Sequence, residues 1–245
     1  MAALLCFASD LRVSDHKPLA DAMASSEPVH ACFFFYEPAL KKYGGRRNQF
    51  LLDSLVILEN NLSHLGVRLH VLSAQTIKEA ETAFKKLLLS ENISSLFFHE
   101  PIDKDEKYLI STLSKHVAQT HSYCDQTLFN PGQIINASHE PFKVFTPFFR
   151  KARSVILENK GILKISARPK KRVALESQNL NPPPWLELME YDREAFPPGE
   201  KAALARLKEF VGGDVKDYAK MRDFFGQEGT SRLSPYLALG ILSIR

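Results

Sequence analysis

The chain has 245 residues, 44% of them hydrophobic and 24% charged, with a formal net charge of +4. This length can bury a core for one large domain or somewhat more, and the mild basicity permits a nucleic-acid partner without requiring one. No apolar run approaches membrane-spanning length and the amino terminus lacks the basic flank of a signal peptide, so we expect a cytoplasmic protein without a membrane partner.

Five short apolar runs rich in β-forming residues predict β-strands. Their hydrophobicity is continuous rather than alternating, which is typical of strands covered on both faces in a parallel sheet. The segments between them have helical spacing, and repeated βα units imply right-handed crossovers. We therefore predict an α/β fold with a doubly wound five-stranded parallel sheet of the Rossmann-like type. The predicted strands are residues 3–8, 29–36, 67–72, 95–99 and 122–124, and the predicted helices are residues 18–24, 48–65, 76–90 and 103–118.

Ligands of such sheets bind beyond the carboxyl ends of the strands, so the residues that follow each strand are candidates for function. Residues 9–12 follow the first predicted strand, and the acidic residues of the segment 103–106 follow the fourth. We interpret Asp10 and Arg12 as structural, through a local ion pair or a contact at a helix entry. The acids suit the first turn of a helix, and a ligand role for them is the less favoured alternative. The absence of a Gly-x-Gly-x-x-Gly or Walker motif argues against a glycine-loop nucleotide site.

Prolines interrupt the second half of the chain, and the only confident helix there is predicted at residues 148–158. The stretch is too long for an ordinary loop, so we interpret it as an interdomain connector. This interpretation divides the chain into an α/β domain at residues 1–130, a linker at 131–198 and the start of a helical domain at 199–245. A basic run at residues 164–172 is read as solvated linker, with nucleic-acid contact as the alternative.

The carboxyl-terminal part has helical spacing at residues 201–211 and 215–222, followed by a segment rich in hydroxyl groups. Ser234 followed by Pro235 predicts a helix start at which the serine hydroxyl caps backbone N–H groups. Together with residues 229–232, this places three hydroxyls and one guanidinium at the positive end of a helix, a composition suited to phosphate or diphosphate. Residue chemistry alone favours the simpler alternative, a loop whose hydroxyls are solvated.

Several segments, in order along the whole chain, resemble the DNA photolyase and cryptochrome family, and most of all its bacterial deoxyribodipyrimidine photolyases. The resemblance implies light-dependent repair of cyclobutane pyrimidine dimers in DNA by electron transfer from reduced FAD, and an α/β antenna domain before a helical FAD-binding domain. The segments that carry it are residues 7–12 with Asp15, 143–148, 199–203, Tyr218 with residues 222–223, and residues 228–234.

The resemblance also implies particular site residues. Arg222 takes a position that the family uses to contact DNA, where one guanidinium adds affinity without reading sequence. FAD is expected to contact Tyr218 and the five residues that we call the hydroxyl segment: Thr230, Ser231, Arg232, Leu233 and Ser234.

An antenna chromophore is a further expectation from the resemblance. Members that use methenyltetrahydrofolate have a histidine near the Tyr43 position and an Asn-Glu pair at the positions of Asp105 and Glu106. Only Glu106 is retained, so methenyltetrahydrofolate, a deazaflavin, another chromophore or none are all open alternatives. His16 replaces the asparagine that usually follows the position of Asp15.

The family's dimer-binding and electron-transfer residues follow the position of Arg245, so no catalytic residue is assigned. Trp185, the single tryptophan, is interpreted as a packing residue. We therefore expect a photolyase sequence that is insufficient for repair alone, whether shortened, split or decayed. The alternatives are a non-enzymatic chromophore- or nucleotide-binding module of the cryptochrome type, and a half that pairs with a separate polypeptide.

Overall fold

The structure is a computed structural model, and it describes residues 1–25, 28–124, 126–158, 175–176, 179–224, 226 and 229–244. The basic run at residues 164–172 lies outside the described residues, as do Glu228 and Arg245. Within the described ranges, none of the helices combines the length and hydrophobicity needed to span a bilayer.

A five-stranded parallel sheet forms the centre of the molecule, with strand order β3-β2-β1-β4-β5. The predicted doubly wound α/β fold is thus confirmed. Each strand coincides with a predicted apolar run, with ends displaced by up to three residues. The strands are β1 (Ala2–Phe7), β2 (Val29–Tyr36), β3 (Arg68–Ala74), β4 (Ile93–His99) and β5 (Gln119–Tyr123).

Helices cover both faces of the sheet because successive strand residues point to opposite sides. In β1, Leu5 and Phe7 enter one buried cluster with α1 and α3, while Leu4 and Cys6 enter the other with α4 and α5. This double burial explains why the strands are apolar throughout. The helices of this half are α1 (Lys17–Ser25), a short α2 (Glu37–Leu40), α3 (Gly45–His64), α4 (Ile77–Ser90) and α5 (Lys104–Leu113), which is followed by a 3₁₀ turn (Ser114–His116).

The proline-rich stretch contains α6 (Phe145–Glu158) and then packs on the outer side of α3. Asn48 donates its side-chain N–H to the carbonyl oxygen of Glu187 at 3.1 Å, and the Tyr191 hydroxyl donates to Asp53 at 3.0 Å. The ring of Tyr191 meets that of Phe50 edge-on. The described second half of the predicted linker is therefore a packed layer.

The carboxyl-terminal part returns to the sheet. Its helices are α7 (Glu200–Gly212), α8 (Tyr218–Met221) and α9 (Ser234–Ala238), with a 3₁₀ turn (Asp214–Lys216) before α8. Tyr236 is 1% exposed, its hydroxyl donates to the carbonyl oxygen of Pro197 at 2.9 Å, and its ring packs edge-on against Phe50. Residues Leu233, Leu239, Ile241 and Leu242 are buried in the same cluster as β1 and α3.

Candidate functional site

The strand order creates a topological switch point between β1 and β4. The chain runs from β1 to β2 and β3 on one side and places β4 and β5 on the other, which opens a crevice beyond the carboxyl ends of β1 and β4. We call this space, about 330 Å³, the switch-point crevice. Its lining includes the two expected loops, through Ser9, Arg12, Ile102 and Asp103, and a facing wall from the end of the chain, through Leu237, Ala238, Gly240, Leu242 and Ile244.

Arg12 connects the two walls through hydrogen bonds. Its side chain is buried, donating from Nη1 to the carbonyl oxygen of Gly240 at 2.9 Å and from Nε and Nη2 to that of Asp15 at 3.2 and 3.0 Å. Gly240 has φ +59°, and a Cβ there would lie 2.1 Å from the carbonyl oxygen of Ser9. Only glycine fits so close an approach in this backbone conformation.

Glu200, at the start of α7, makes a second attachment. Its buried carboxylate accepts the backbone N–H of Val13 at 2.8 Å and of Ser14 at 3.0 Å. Two N–H groups on one carboxylate form a charge-assisted pair that fixes the loop after β1 relative to α7. Sequence reasoning assigned Glu200 only to the resemblance segment, and an acid at a helix start gives no sign of a partner so far upstream.

A buried network lies beneath the crevice around Asp10. One carboxylate oxygen, Oδ2, accepts from Nε2 of His16 at 2.9 Å and from Nδ1 of His99 at 2.7 Å, while Oδ1 accepts the backbone N–H of Ala8 at 2.7 Å. Burial raises the pKa of Asp10, but the bonds to the two histidines outweigh it and hold that pKa well below its ordinary value. Of the two alternatives for the structural role of Asp10 and Arg12, the local ion pair is wrong, because the carboxylate bonds to histidines and the guanidinium to carbonyls.

This network has the composition of a metal site, since ligand atoms of Asp10, His16 and His99 lie within 4.8 Å of one another. The tautomer of His16 argues against a metal ion at this site. Its Nδ1 accepts the backbone N–H of Leu19 at 3.2 Å, so in the neutral ring Nε2 carries the proton and donates to Asp10. Burial lowers the pKa of His16 to about 4, so the ring is neutral near pH 7. A protonated nitrogen offers no lone pair to a metal, and we interpret the cluster as a hydrogen-bond network.

The two predicted antenna residues point in different directions. Glu106 is turned inward, where its carboxyl oxygens accept the Ser9 hydroxyl at 3.0 and 3.1 Å. Burial raises the pKa of Glu106 to about 7, and the charges of Asp103 and Asp10 add to this rise. Asp105 faces the surface instead, with its carboxylate 3.1 Å from Nζ of Lys42.

The predicted first-turn role of the neighbouring acids is confirmed at the start of α5. Asp103 is its N-cap residue, and its Oδ1 accepts the backbone N–H groups of Asp105 at 3.0 Å and Glu106 at 3.2 Å. The same side chain pairs with Lys42 through its other oxygen. Tyr43 also lines the crevice, with the Arg47 guanidinium 3.5 Å from its ring centroid.

The hydroxyl segment begins a helix where predicted, but its capping differs from the prediction. Ser234 is the first residue of α9, and the N-cap residue is Leu233, which has no hydroxyl with which to cap. The predicted capping by Ser234 is therefore wrong, because the backbone already turns into helical geometry at Leu233. With only five residues, α9 also contributes a weaker dipole than a long helix.

The structure divides the hydroxyl segment between two grooves. Ser234 lines an open groove of about 750 Å³, whereas Arg232, with φ +51°, lines a separate one of about 310 Å³. Leu233 is buried and Thr230 is exposed. The carbonyl oxygens of Thr230 and Ser231 accept from Nη2 and Nε of Arg206 at 3.1 and 3.0 Å, contacts that the sequence did not indicate. The larger groove is also lined by Arg46, Arg47, Phe50, Glu190, Tyr191, Asp192, Phe196, Pro235, Ala238 and Leu239.

The remaining two predicted residues lie on the outer surface near α8. Tyr218 is 40% exposed and meets the ring of Phe210 edge-on at 6.0 Å. The Arg222 side chain is 55% exposed, and its Nε lies 3.7 Å from the carboxylate of Asp223. An exposed pair at this distance is worth little energy, so the guanidinium can exchange Asp223 for another anion.

Comparison with known proteins relates this geometry to one family. The family model for DNA photolyase matches residues 3–169. The chain is 28% identical to the deoxyribodipyrimidine photo-lyase of Escherichia coli (strain K12), covering 99% of this chain and 52% of that protein, and 29% identical to cryptochrome DASH of Synechocystis, covering 99% and 52%. It is also similar to the crystal structure of a bacterial class III photolyase from Agrobacterium tumefaciens, with a TM-score of 0.80, 26% identity, and coverage of 99% and 51%.

Proposed function

We propose that the chain, which belongs to the DNA photolyase family, serves light-dependent repair of cyclobutane pyrimidine dimers in DNA by electron transfer from reduced FAD. The observation that carries this proposal is the ordered similarity to a deoxyribodipyrimidine photo-lyase over 99% of the chain. The chain spans about half the length of the curated relatives it matches. Its own share of the activity therefore depends on the residues present.

FAD is proposed as the redox cofactor, with Tyr218 and the hydroxyl segment forming one edge of its site. The groove at Ser234 supports this assignment, because Arg46 and Arg47 line the same space as the serine. The two arginines and the hydroxyl suit a diphosphate, while Glu190, which pairs with Arg193, and Asp192 line the same groove and partly offset the positive charge. The exposure of Tyr218, Thr230 and Ser234 leaves this edge open, so we expect weak binding of FAD to these residues alone.

The switch-point crevice is proposed as the place of an antenna chromophore, whether methenyltetrahydrofolate or a deazaflavin. Glu106 is the better supported contact of the two predicted residues, because it points toward Ser9 at the crevice. With a pKa of about 7, its carboxyl group is partly protonated at neutral pH, so it can accept a hydrogen bond from the Ser9 hydroxyl or donate one. Asp105 points to Lys42 and would contact a ligand only at the crevice mouth.

DNA is proposed as the macromolecular partner, with Arg222 contacting a backbone phosphate. We also propose the division into an antenna domain at residues 1–130, a connector at 131–198 and helical residues at 199–245. The open flavin edge would be closed by further helical residues, supplied by the same protein or by a separate polypeptide. Enclosure would bury Tyr218 and thereby raise the affinity for FAD.

A second function is favoured by one comparison. The similarity to cryptochrome DASH is as high as that to the photolyases, which supports a chromophore-binding module without repair as the alternative. The two functions share the FAD edge and differ in whether a pyrimidine dimer is bound and split.

A repair assay distinguishes them. The purified chain, alone and combined with the carboxyl-terminal helical half of a DNA photolyase, is given reduced FAD and a dimer-containing oligonucleotide under blue light. We expect light-dependent loss of dimers in the combination and none with either half alone. Repair by this chain alone would contradict the proposal that its residues form only one open edge of the FAD site. A combination that binds FAD but never repairs would favour the non-repair alternative.

A further inference from the structure

Two histidines and a glutamate meet at the edge of the sheet opposite to the crevice. His30 lies at the start of β2, His70 on β3, and Glu91 directly after α4. Nδ1 of His30 is 3.1 Å from Nε2 of His70, and Nε2 of His30 is 3.7 Å from a carboxylate oxygen of Glu91. One ligand atom from each residue can be chosen so that all lie within 4.8 Å of one another.

The separations suit a small metal ion. Bonds of about 2.0–2.1 Å from Zn²⁺ to nitrogen and oxygen place tetrahedral ligands about 3.4 Å apart. The 3.1 Å distance from Nδ1 of His30 to Nε2 of His70 is close to that spacing. The 3.7 Å distance to Glu91 starts from the other nitrogen of His30, so for one atom per residue the three ligands lie within 4.8 Å of one another. Rotation of the His30 ring and of the Glu91 side chain would bring one donor from each residue to coordination distance.

The three residues are held by ordered backbone. His30 pairs with Arg68, and Cys32 with His70, in the parallel register of β2 and β3. The two histidines thus sit diagonally on one face of two hydrogen-bonded strands. Glu91 is fixed because its own N–H donates to the carbonyl oxygen of Leu87 at 3.1 Å. Donors on rigid elements lose little conformational freedom when they bind a metal.

The protonation state of the cluster is also suitable. Burial lowers the pKa of both His30 and His70. The charge of Arg68 lowers both pKa values further, and the charge of His30 lowers that of His70. The Glu91 carboxylate acts in the opposite direction on both rings and supplies one negative charge. Two neutral imidazoles can each present a lone pair once the proton shared between Nδ1 of His30 and Nε2 of His70 moves to another ring nitrogen. The positive charge of Arg68 disfavours a cation, so the carboxylate is needed to offset it.

We propose that His30, His70 and Glu91 form a binding site for one divalent transition-metal ion of the Zn²⁺ type, with solvent as the remaining ligand. Two imidazoles and a carboxylate are borderline ligands of the kind that Zn²⁺ and Co²⁺ accept, whereas Mg²⁺ and Ca²⁺ prefer oxygen alone. The bound ion links β2, β3 and the end of α4. Because the site lies at the amino ends of the strands, it is separate from the switch-point crevice and acts on stability.

Calorimetric titration of the metal-free, tag-free chain with Zn²⁺ tests the site, with Co²⁺ absorption as a second readout. We expect one equivalent to bind, a Co²⁺ spectrum of tetrahedral type, and a higher thermal unfolding temperature with Zn²⁺. His30→Gln, His70→Gln and Glu91→Gln should each weaken binding by roughly tenfold or more. Glu91 lies at the surface, so its variant remains informative if a histidine variant does not fold.

His116→Gln is the matched control, because His116 and Glu81 form a two-residue pair with Nε2 and Oε1 2.6 Å apart. This variant should bind Zn²⁺ like the parent chain. Absence of a stoichiometric site, or an equal loss of affinity in His116→Gln and His70→Gln, would overturn the proposal.

Discussion

The guanidinium of Arg12 donates a hydrogen bond to the carbonyl oxygen of Gly240 at 2.9 Å, across 228 positions of sequence. Arg12 belongs to the loop after β1 and Gly240 to the segment after α9. The contact therefore joins the α/β sheet to the carboxyl-terminal residues and gives the switch-point crevice its second wall.

Arg12→Met should destabilise the chain by about 2–3 kcal/mol, because it removes buried hydrogen bonds from a charged donor and leaves carbonyl oxygens unsatisfied. The methionine keeps most of the apolar stem, so packing loss is small. Urea unfolding measures the cost, and hydrogen exchange should show lost protection near Leu239. Arg193→Met is the control, since Arg193 is 44% exposed in its pair with Asp53 and should cost much less. Equal costs in the two variants would contradict a special role of Arg12.

Gly240→Ala should be more destabilising than Gly132→Ala. Both glycines have positive φ, at +59° and +80°, so both substitutions introduce backbone strain of about 1–2 kcal/mol. A Cβ at Gly132 meets open space, whereas one at Gly240 would clash with the carbonyl oxygen of Ser9. The difference between the two unfolding free energies isolates the clash. A Gly240→Ala variant as stable as Gly132→Ala would show that the carboxyl-terminal segment does not pack as described.

His16 and Glu106 should oppose each other in the pH dependence of stability. The pKa of His16 falls from 6.5 to about 4 on folding, so acid favours the unfolded chain as pH falls through this range. The pKa of Glu106 rises from 4.5 to about 7, so its stabilising contribution is full below pH 4.5 and is lost as pH rises to 7. Each effect is at most about 3 kcal/mol, and the two contributions nearly cancel each other between pH 4.5 and 7.

Single variants should separate the contributions of His16 and Glu106 to the pH dependence of stability. Glu106→Gln should lose stability as the pH falls from 7 to 4.5, whereas His16→Asn should gain it, because asparagine retains an N–H for Asp10 without a titrating ring. Unfolding free energies from urea titrations at several pH values measure both slopes. Variant profiles parallel to the parent profile would contradict the assigned pKa values.

Arg222→Ala should weaken binding to DNA at low salt. One lost phosphate contact should also reduce the slope of log affinity against log salt by about 0.9. Lys78→Ala is the control, because Lys78 is an exposed cation of similar charge on α4. Fluorescence anisotropy with a dimer-containing duplex measures both quantities. An unchanged slope in Arg222→Ala, or an equal change in both variants, would refute the phosphate contact.

The sequence predicted the sheet because continuous apolar runs separated by helical spacing are local signals. It also located the start of α9, since Ser234 and Pro235 are adjacent. The bond from Arg12 to Gly240 was beyond such reasoning, because it depends on which distant segment returns to the mouth of the sheet.

The network around Asp10 was missed for the same reason. His99 ends β4, and only the pairing of β4 with β1 brings it beside the loop that holds Asp10 and His16. Asp105 and Glu106 point in different directions because they are neighbours on α5. Which of them faces inward depends on the tertiary positions of Ser9, which contacts Glu106, and Lys42, which contacts Asp105.

The central proposal is that the hydroxyl segment forms one edge of an FAD site that recognises the diphosphate. Thr230 and Ser234 are exposed, so the double variant Thr230→Val/Ser234→Ala should fold normally. The matched control is Thr82→Val/Ser111→Ala, which removes two exposed hydroxyls elsewhere.

Competitive fluorescence titration of the purified chain with FAD, ADP-ribose and riboflavin is the most direct measurement. We expect FAD to bind with roughly micromolar or weaker affinity, ADP-ribose to displace it, riboflavin not to compete, and only the Thr230→Val/Ser234→Ala variant to lose about tenfold in affinity. Equal affinity for riboflavin and FAD, or unchanged FAD binding in that variant, would contradict the proposal.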